Sequence, residues 1–159
     1  MIFATVGTQL TFDRLVQSLR YLVENHDHEI FAQTIDQEYE YRAKGHLTCV
    51  KQLAPSAFDE RFAAARLVIS HAGIGSIISA SRFQKPIILM PRSADLNEHR
   101  NNHQVDTAAR FSGSRGIYIA NDEKQIAALC LADLEARPSL DPASSGLIAG
   151  IRDFIHRKQ

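Results

Sequence analysis

Leu67-Val-Ile-Ser-His-Ala-Gly-Ile-Gly-Ser76 decides the fold of this chain. Leu67–Ser70 has no polar alternation, the signature of a strand buried on both faces. His71–Ser76 then turns the chain on small residues into a helix. Pro86-Ile-Ile-Leu-Met90 is a second fully apolar strand. Working outward, Ile2–Val6 reads as the first strand, followed by a Gly7-Thr8-Gln9 turn. Phe12, Leu15, Val16, Leu19, Leu22 and Val23 then form one apolar helical face. Glu29–Thr34 and Leu47–Val50 read as strands, and Ser56–Asp59 as a capping box opening a helix to Ala65. A polar helix is expected from about Glu98 to Arg110, a last strand at Gly116–Ala120, and a helix capped by Asn121 running to about Ala136. Strands alternating with helices predict an α/β fold, a Rossmann-like parallel sheet with helices on both faces.

The 159 residues, 45% apolar and 23% charged, fit one globular domain. Residues 1–137 read as that domain, 138–146 as a loop rich in Pro and Ser, and 147–159 as a C-terminal helix. Leu147, Ile148, Ile151, Phe154 and Ile155 make its apolar stripe. Eighteen basic residues balance eighteen acidic ones, against a nucleic-acid partner held by phosphate neutralisation. Cys49 and Cys130 are too few for a disulfide framework and match no zinc spacing. The N-terminus lacks the basic region of a signal peptide. The longest apolar stretch, Ile126–Ala132, is far short of the roughly 20 residues that span a bilayer. A cytoplasmic protein is the expectation.

Ligands of open parallel sheets bind beyond the carboxyl ends of the strands. Three polar or glycine-bearing loops follow strands here: Gly7-Thr8-Gln9, His71–Ser76 and Pro91–Gln104. Glycine also serves tight turns for purely structural reasons, but three such loops on one edge predict a shared crevice. His71–Ser76 lets a backbone approach a ligand, and the following helix offers free N–H groups and a partial positive charge, which suits phosphate. Ile78 stands where a dinucleotide fingerprint needs its third glycine, and no Gly-Lys-Ser/Thr follows, so it is not a P-loop. Glu98-His99-Arg100-Asn101-Asn102-His103-Gln104 offers carboxylate, amide and imidazole groups that fit a sugar or ribose. His99 and His103, four apart on a helix, would share a face for a metal, but no third ligand is evident. A solvated helix start is the structural alternative.

Val-Ile-Ser-His-Ala-Gly-Ile-Gly-Ser, Lys-Pro-Ile-Ile-Leu-Met-Pro-Arg and Glu-His-Arg-Asn-Asn-His-Gln, in that order, resemble the C-terminal domain of glycosyltransferase family 28. Val6-Gly7-Thr8 with Phe12-Asp13-Arg14-Leu15 is similar to the family's short single-domain members, among them bacterial exopolysaccharide subunits and the catalytic subunit of the two-part N-glycan GlcNAc transferase. The resemblance implies the donor half of a GT-B fold. It assigns the diphosphate of a UDP-sugar to His71, Gly73, Gly75 and Ser76, and the donor phosphates or sugar to Gly7 and Thr8. Sugar hydroxyls fall to Asn102, His103 and Gln104, with Arg92 and Glu98 nearby. Where family members often carry a ribose-gripping glutamate, this chain has Ser79.

The resemblance further implies transfer with inversion to a lipid-linked acceptor, without a metal or other cofactor, and a membrane-anchored acceptor-binding subunit that recruits the protein to the inner membrane face. The C-terminal helix would dock on that subunit; packing on its own sheet is the alternative, and a monomer exposing its stripe would self-associate. No convincing base lies in the motifs, although His71 and His99 are imidazoles of suitable titration range. The base is therefore expected from the partner. Two other readings stay open on the residues alone: a non-catalytic sugar-nucleotide-binding or regulatory subunit, and a Rossmann-type oxidoreductase.

Overall fold

The computed structural model describes residues 1–139. The chain runs β1 (Ile2–Thr5), α1 (Asp13–Asn25), β2 (Glu29–Gln33), β3 (Tyr39–Arg42), β4 (His46–Val50), α2 (Pro55–Ala64) and β5 (Leu67–His71). It continues through α3 (Ile74–Arg82), β6 (Ile87–Met90), a short 3₁₀ turn (Ala94–Leu96), α4 (His103–Phe111), β7 (Ile117–Ile119) and α5 (Glu123–Leu131). The seven strands form one sheet in the order β3-β4-β2-β1-β5-β6-β7. Every pairing is parallel except β3 with β4.

β1 alternates its side chains between two cores. Ile2, Ala4 and Val6 face one that includes the apolar stripe of α1 and Ile126, Ala127 and Cys130 of α5. Phe3 faces the other, built from Phe62 of α2, Ile77 and Ala80 of α3, and Ala108 and Phe111 of α4. Helices therefore cover both faces, as two-sided apolar strands require. The chain leaves β1 toward β2 on one side and reaches β5 on the other, so the strand order reverses between β1 and β5. A crevice opens beyond strand ends at such a reversal.

Several local expectations are corrected. β3, Tyr-Glu-Tyr-Arg, was not anticipated; it adds an antiparallel edge through a tight return at Gly45, whose N–H donates to Val23 O. α2 begins at Pro55, so Ser56 lies inside the first turn and caps nothing. α4 begins at His103 rather than Glu98. Residues 97–102 are held out of the helix by their own side chains: Asn97 is left-handed (φ 56°), Asn102 Oδ1 accepts from Ala94 N–H at 2.8 Å, and Glu98 is drawn to Arg14. Asp122, not Asn121, caps α5, accepting from Gln125 N–H.

α5 stops at Leu131, short of Ala136. Beyond it the chain folds back past β7. Glu135 N–H donates to Tyr118 Oη, and the buried Arg137 donates to Ser81 Oγ and Arg115 O. Most of the expected 138–146 loop and all of the 147–159 helix lie outside the described residues. Among the described residues, no helix is long and apolar enough to cross a membrane.

Candidate functional site

A cleft of about 430 Å³ lies at the carboxyl ends of β1, β2 and β5. Its walls include Gly7, Thr8, Gln9 and Leu10 after β1, Gln33 at the end of β2, and Phe58 of α2. His71 ends β5, Gly75, Ser76 and Ser79 belong to α3, and Arg92, His99 and Gln104 come from the β6–α4 side. Seven of the anticipated residues meet here: Gly7, Thr8, His71, Gly75, Ser76, Arg92 and Gln104.

The imidazole of His71 fills the space between two glycines. A Cβ on Gly7 would stand 2.8 Å from its Cε1, and one on Gly73 would stand 2.3 Å from its Nε2, contacts that would force the ring to shift. Gly7 also has φ +94°, a conformation that side chains disfavour. These two glycines make room for the histidine, whereas Gly75 meets nothing within 4 Å on the cleft wall. Burial, reinforced by the Arg92 charge, lowers the His71 pKa to about 4 against the opposing effect of a hydrogen bond to the Thr5 carbonyl. The ring is therefore neutral at pH 7.

α3 begins at the cleft with Gly73 as its N-cap. Ser76 and Ile77 N–H already bond to Gly73 O. Ile74 and Gly75 thus carry the free amides of this helix start, where the helix dipole adds positive potential. Ser76 Oγ accepts from Ser70 Oγ at 2.8 Å. Across the cleft, Gln104 Oε1 accepts from Ala72 N–H and Arg92 N–H, each at 3.2 Å, and so joins the ends of β5 and β6. Its Nε2 takes no part in that bridge.

Arg92 lines the cleft but is 2% exposed. Its guanidinium donates to Val6 O (3.0 Å), Leu10 O (2.6 Å) and Thr11 O, and lies 4.4 Å from the centre of the Phe12 ring. It braces the loop after β1 instead of offering a free cation. Glu98 is likewise committed. It binds Arg14 through both oxygens (2.7 and 2.8 Å) and accepts from Ser93 N–H. Burial works against its charge, but the Arg14 and Ser93 hydrogen bonds and the Arg14 and Arg92 charges outweigh that and hold its carboxyl below the usual range. Arg14 also donates to Pro91 O and Asn121 O, tying the β6–α4 and β7–α5 loops to α1.

Glu98, Asn102 and His103 do not line the cleft, and the last two are exposed. The shared helix face expected of His99 and His103 is absent, because His99 precedes α4 and bonds Asn101 Oδ1 through Nδ1 at 3.0 Å. Among the described residues no three His, Cys, Asp or Glu side chains gather in a metal-sized cluster. Gln33 is a cleft residue that sequence reasoning missed. Its Nε2 donates to Gly7 O and its Oε1 accepts from Leu53 N–H, each at 3.0 Å, so one buried amide joins two loops. The available signal was a polar residue ending the apolar run Ile30-Phe-Ala, directly beside Thr5 in the sheet. Phe58, on the polar-looking α2, gave no comparable signal.

Residues 1–155 match the family model described as the glycosyltransferase family 28 C-terminal domain. The chain belongs to this family. It is 38% identical over 96 residues to UDP-N-acetylglucosamine transferase subunit ALG13 of Eremothecium gossypii, covering 58% of this chain and 45% of that protein. It thus spans about half the length of the curated relative it matches. Among solved structures, the fold is similar to an NMR solution structure of ALG13 (TM-score 0.63, 20% identity, 91% and 92% of the two chains). It is also similar to MurG of Acinetobacter baumannii (TM-score 0.56, 17% identity, 80% and 39%) and to the glycotransferase of kitacinnamycin (TM-score 0.61, 15% identity, 96% and 38%). In the two longer glycosyltransferases the match covers under two fifths of the chain, as expected for the C-terminal half of a GT-B fold.

Proposed function

We propose that this chain is the donor-binding half of a UDP-sugar glycosyltransferase that completes its active site with a separate acceptor-binding subunit. The observation that carries the reading is the β1/β5 crevice itself, where Gly75, with its free amide, the Ser76 hydroxyl and the start of α3 stand on one wall. That wall suits a diphosphate, and the same groups stabilise it as charge develops on the leaving group during transfer. Arg92, the one arginine of the lining among the described residues, is spent on carbonyls, and this reading gives the work to neutral donors, with no metal. Gln104 Nε2 and His99 stand on the side where the sugar would lie.

The subunit name of ALG13 supports the divided arrangement, since it describes that protein as part of a transferase. The acceptor in this proposal is a lipid-linked saccharide of exopolysaccharide or glycan synthesis. The partner is membrane-anchored and holds this chain at the cytoplasmic face. The transfer is a direct displacement with inversion, through an oxocarbenium-like transition state. The acceptor hydroxyl needs a base near neutral pKa. His71, at about 4, is too weak for that, and this reading assigns the base to the partner's side.

Calorimetric titration of the full chain with UDP, UDP-GlcNAc and NAD tests the donor site: UDP compounds bind and NAD does not. Tight NAD binding without UDP binding overturns the reading in favour of an oxidoreductase. Transfer assays with the co-expressed membrane partner test catalysis. Ser76→Ala and Gln104→Ala should each lower transfer at least tenfold. Full activity in both would remove the donor site from this cleft, and UDP binding without transfer would leave a regulatory subunit.

A further inference from the structure

Ser70 is the one hydroxyl in the buried run Leu67-Val-Ile-Ser70, held between Thr5 of β1 and Leu89 of β6. It is 0% exposed. A buried hydroxyl is costly unless it is hydrogen-bonded, and this one has two partners. Its Oγ donates to Ser76 Oγ at 2.8 Å and lies 3.3 Å from His71 Nδ1. A serine has one hydrogen to give. If that hydrogen goes to Ser76, Ser70 can only accept from His71, and the arrangement requires the imidazole hydrogen on Nδ1.

The donors then run in one direction, from His71 Nδ1–H to Ser70 Oγ–H to Ser76 Oγ–H. Ser76, 7% exposed, and His71 both line the cleft, with the buried Ser70 between them. Alone, the Ser76 hydroxyl could donate to a ligand or accept from one. With a lone pair already engaged by Ser70, its own hydrogen is directed outward, toward a group that only accepts. Phosphate oxygens are such groups.

We infer that Ser70 is a positioning residue that sets Ser76 as a hydrogen-bond donor to a phosphate oxygen in the cleft, with the His71 tautomer at the head of the chain. The inference rests on the donor-site reading above and adds to it a residue that touches no ligand. Chains of this kind strengthen their terminal donor, because each bond polarises the next.

The test is UDP affinity of the full chain, measured calorimetrically for the native protein, Ser70→Ala, Ser76→Ala and the double variant. Ser70→Ala should weaken UDP about three- to tenfold, the span of one neutral hydrogen bond, and should cause no further loss in the Ser76→Ala background. Ser70→Thr, which keeps the hydroxyl on a strand that tolerates β-branching, should stay within about twofold of native. Uridine, which has no phosphate, should bind native protein and Ser70→Ala alike. Equal losses from Ser70→Ala in both backgrounds would reveal a merely structural serine and overturn the inference, as would unchanged UDP affinity. A ligand-free readout separates this from the donor reading. Nitrogen-15 NMR of the His71 ring should show the hydrogen on Nδ1 in the native protein and its redistribution to Nε2 in Ser70→Ala. Absence of UDP binding by the native chain would sink the donor reading, and an unchanged His71 tautomer would sink the relay.

Discussion

The β5–α3 turn and the β6–α4 loop face each other across the same cleft, and both read as ligand-binding segments in the sequence. Their polar atoms have different fates. On the β5–α3 side, the Gly75 amide and the Ser76 hydroxyl stay available to a ligand. On the β6–α4 side, Arg92, Glu98 and Asn102 are consumed by backbone carbonyls, backbone amides and Arg14. One wall is organised to bind; the other spends most of its polar groups on holding the loops in register and keeps Gln104 Nε2 and His99 at the cleft. Residue type distinguishes neither; what decides is whether the hydrogen-bonding capacity is already filled.

The strongest way to break this contrast is to remove the brace. Arg92→Met keeps volume but orphans the carbonyls of Val6, Leu10 and Thr11, with a cost of about 3 kcal/mol expected for such charge-assisted bonds. Urea denaturation should show that loss, and a near-native midpoint would mean that Arg92 is not a brace. Gly73→Ala comes next. Its Cβ would meet the His71 ring at 2.3 Å, so the imidazole must move, at about 2 kcal/mol for overpacking and with weakened UDP binding.

The third effect is on pH. His71 has a folded pKa of about 4 against an ordinary 6.5, so the unfolded chain holds the extra proton between those values. The His71 contribution is complete above about pH 6.5 and is lost as pH falls toward 4. His71→Asn should flatten the stability profile in that window; an unaltered slope there would contradict a buried neutral ring. Gly75→Ala should have the smallest effect on stability, a gain of up to about 1 kcal/mol, because its Cβ meets nothing and alanine favours the helix. It should nonetheless weaken UDP binding, and its pairing with Gly73→Ala separates the glycine that serves the ligand from the one that serves His71.

The sheet was legible because buried strands such as Leu67–Ser70 and Ile87–Met90 carry their environment in their composition. β3 escaped because Tyr39-Glu-Tyr-Arg42 is a half-exposed edge whose partner is set by a turn, not by apolar content. The start of α4 was misplaced because Asn97, Glu98 and Asn102 have local and long-range partners that outcompete helix formation. In the site, position along the strand ends pointed to His71, Gly75 and Ser76. The fate of Arg92 and Glu98 depended on Val6, Leu10 and Arg14, some 80 residues away in the chain, a separation that no local pattern encodes.

The two borders of the sheet carry a consequence for assembly. At one, β3 presents the outward charges Glu40 and Arg42, a common defence against strand addition. At the other, the chain after α5 lies so close over Gly116 that a Cβ there would touch the Arg137 backbone at 2.5 Å, and Tyr118 pins Glu135 beside it. Both borders are thus guarded against sheet extension into a neighbouring molecule. Among the described residues, that leaves the helices and loops, not strand addition, as the surfaces open to a companion.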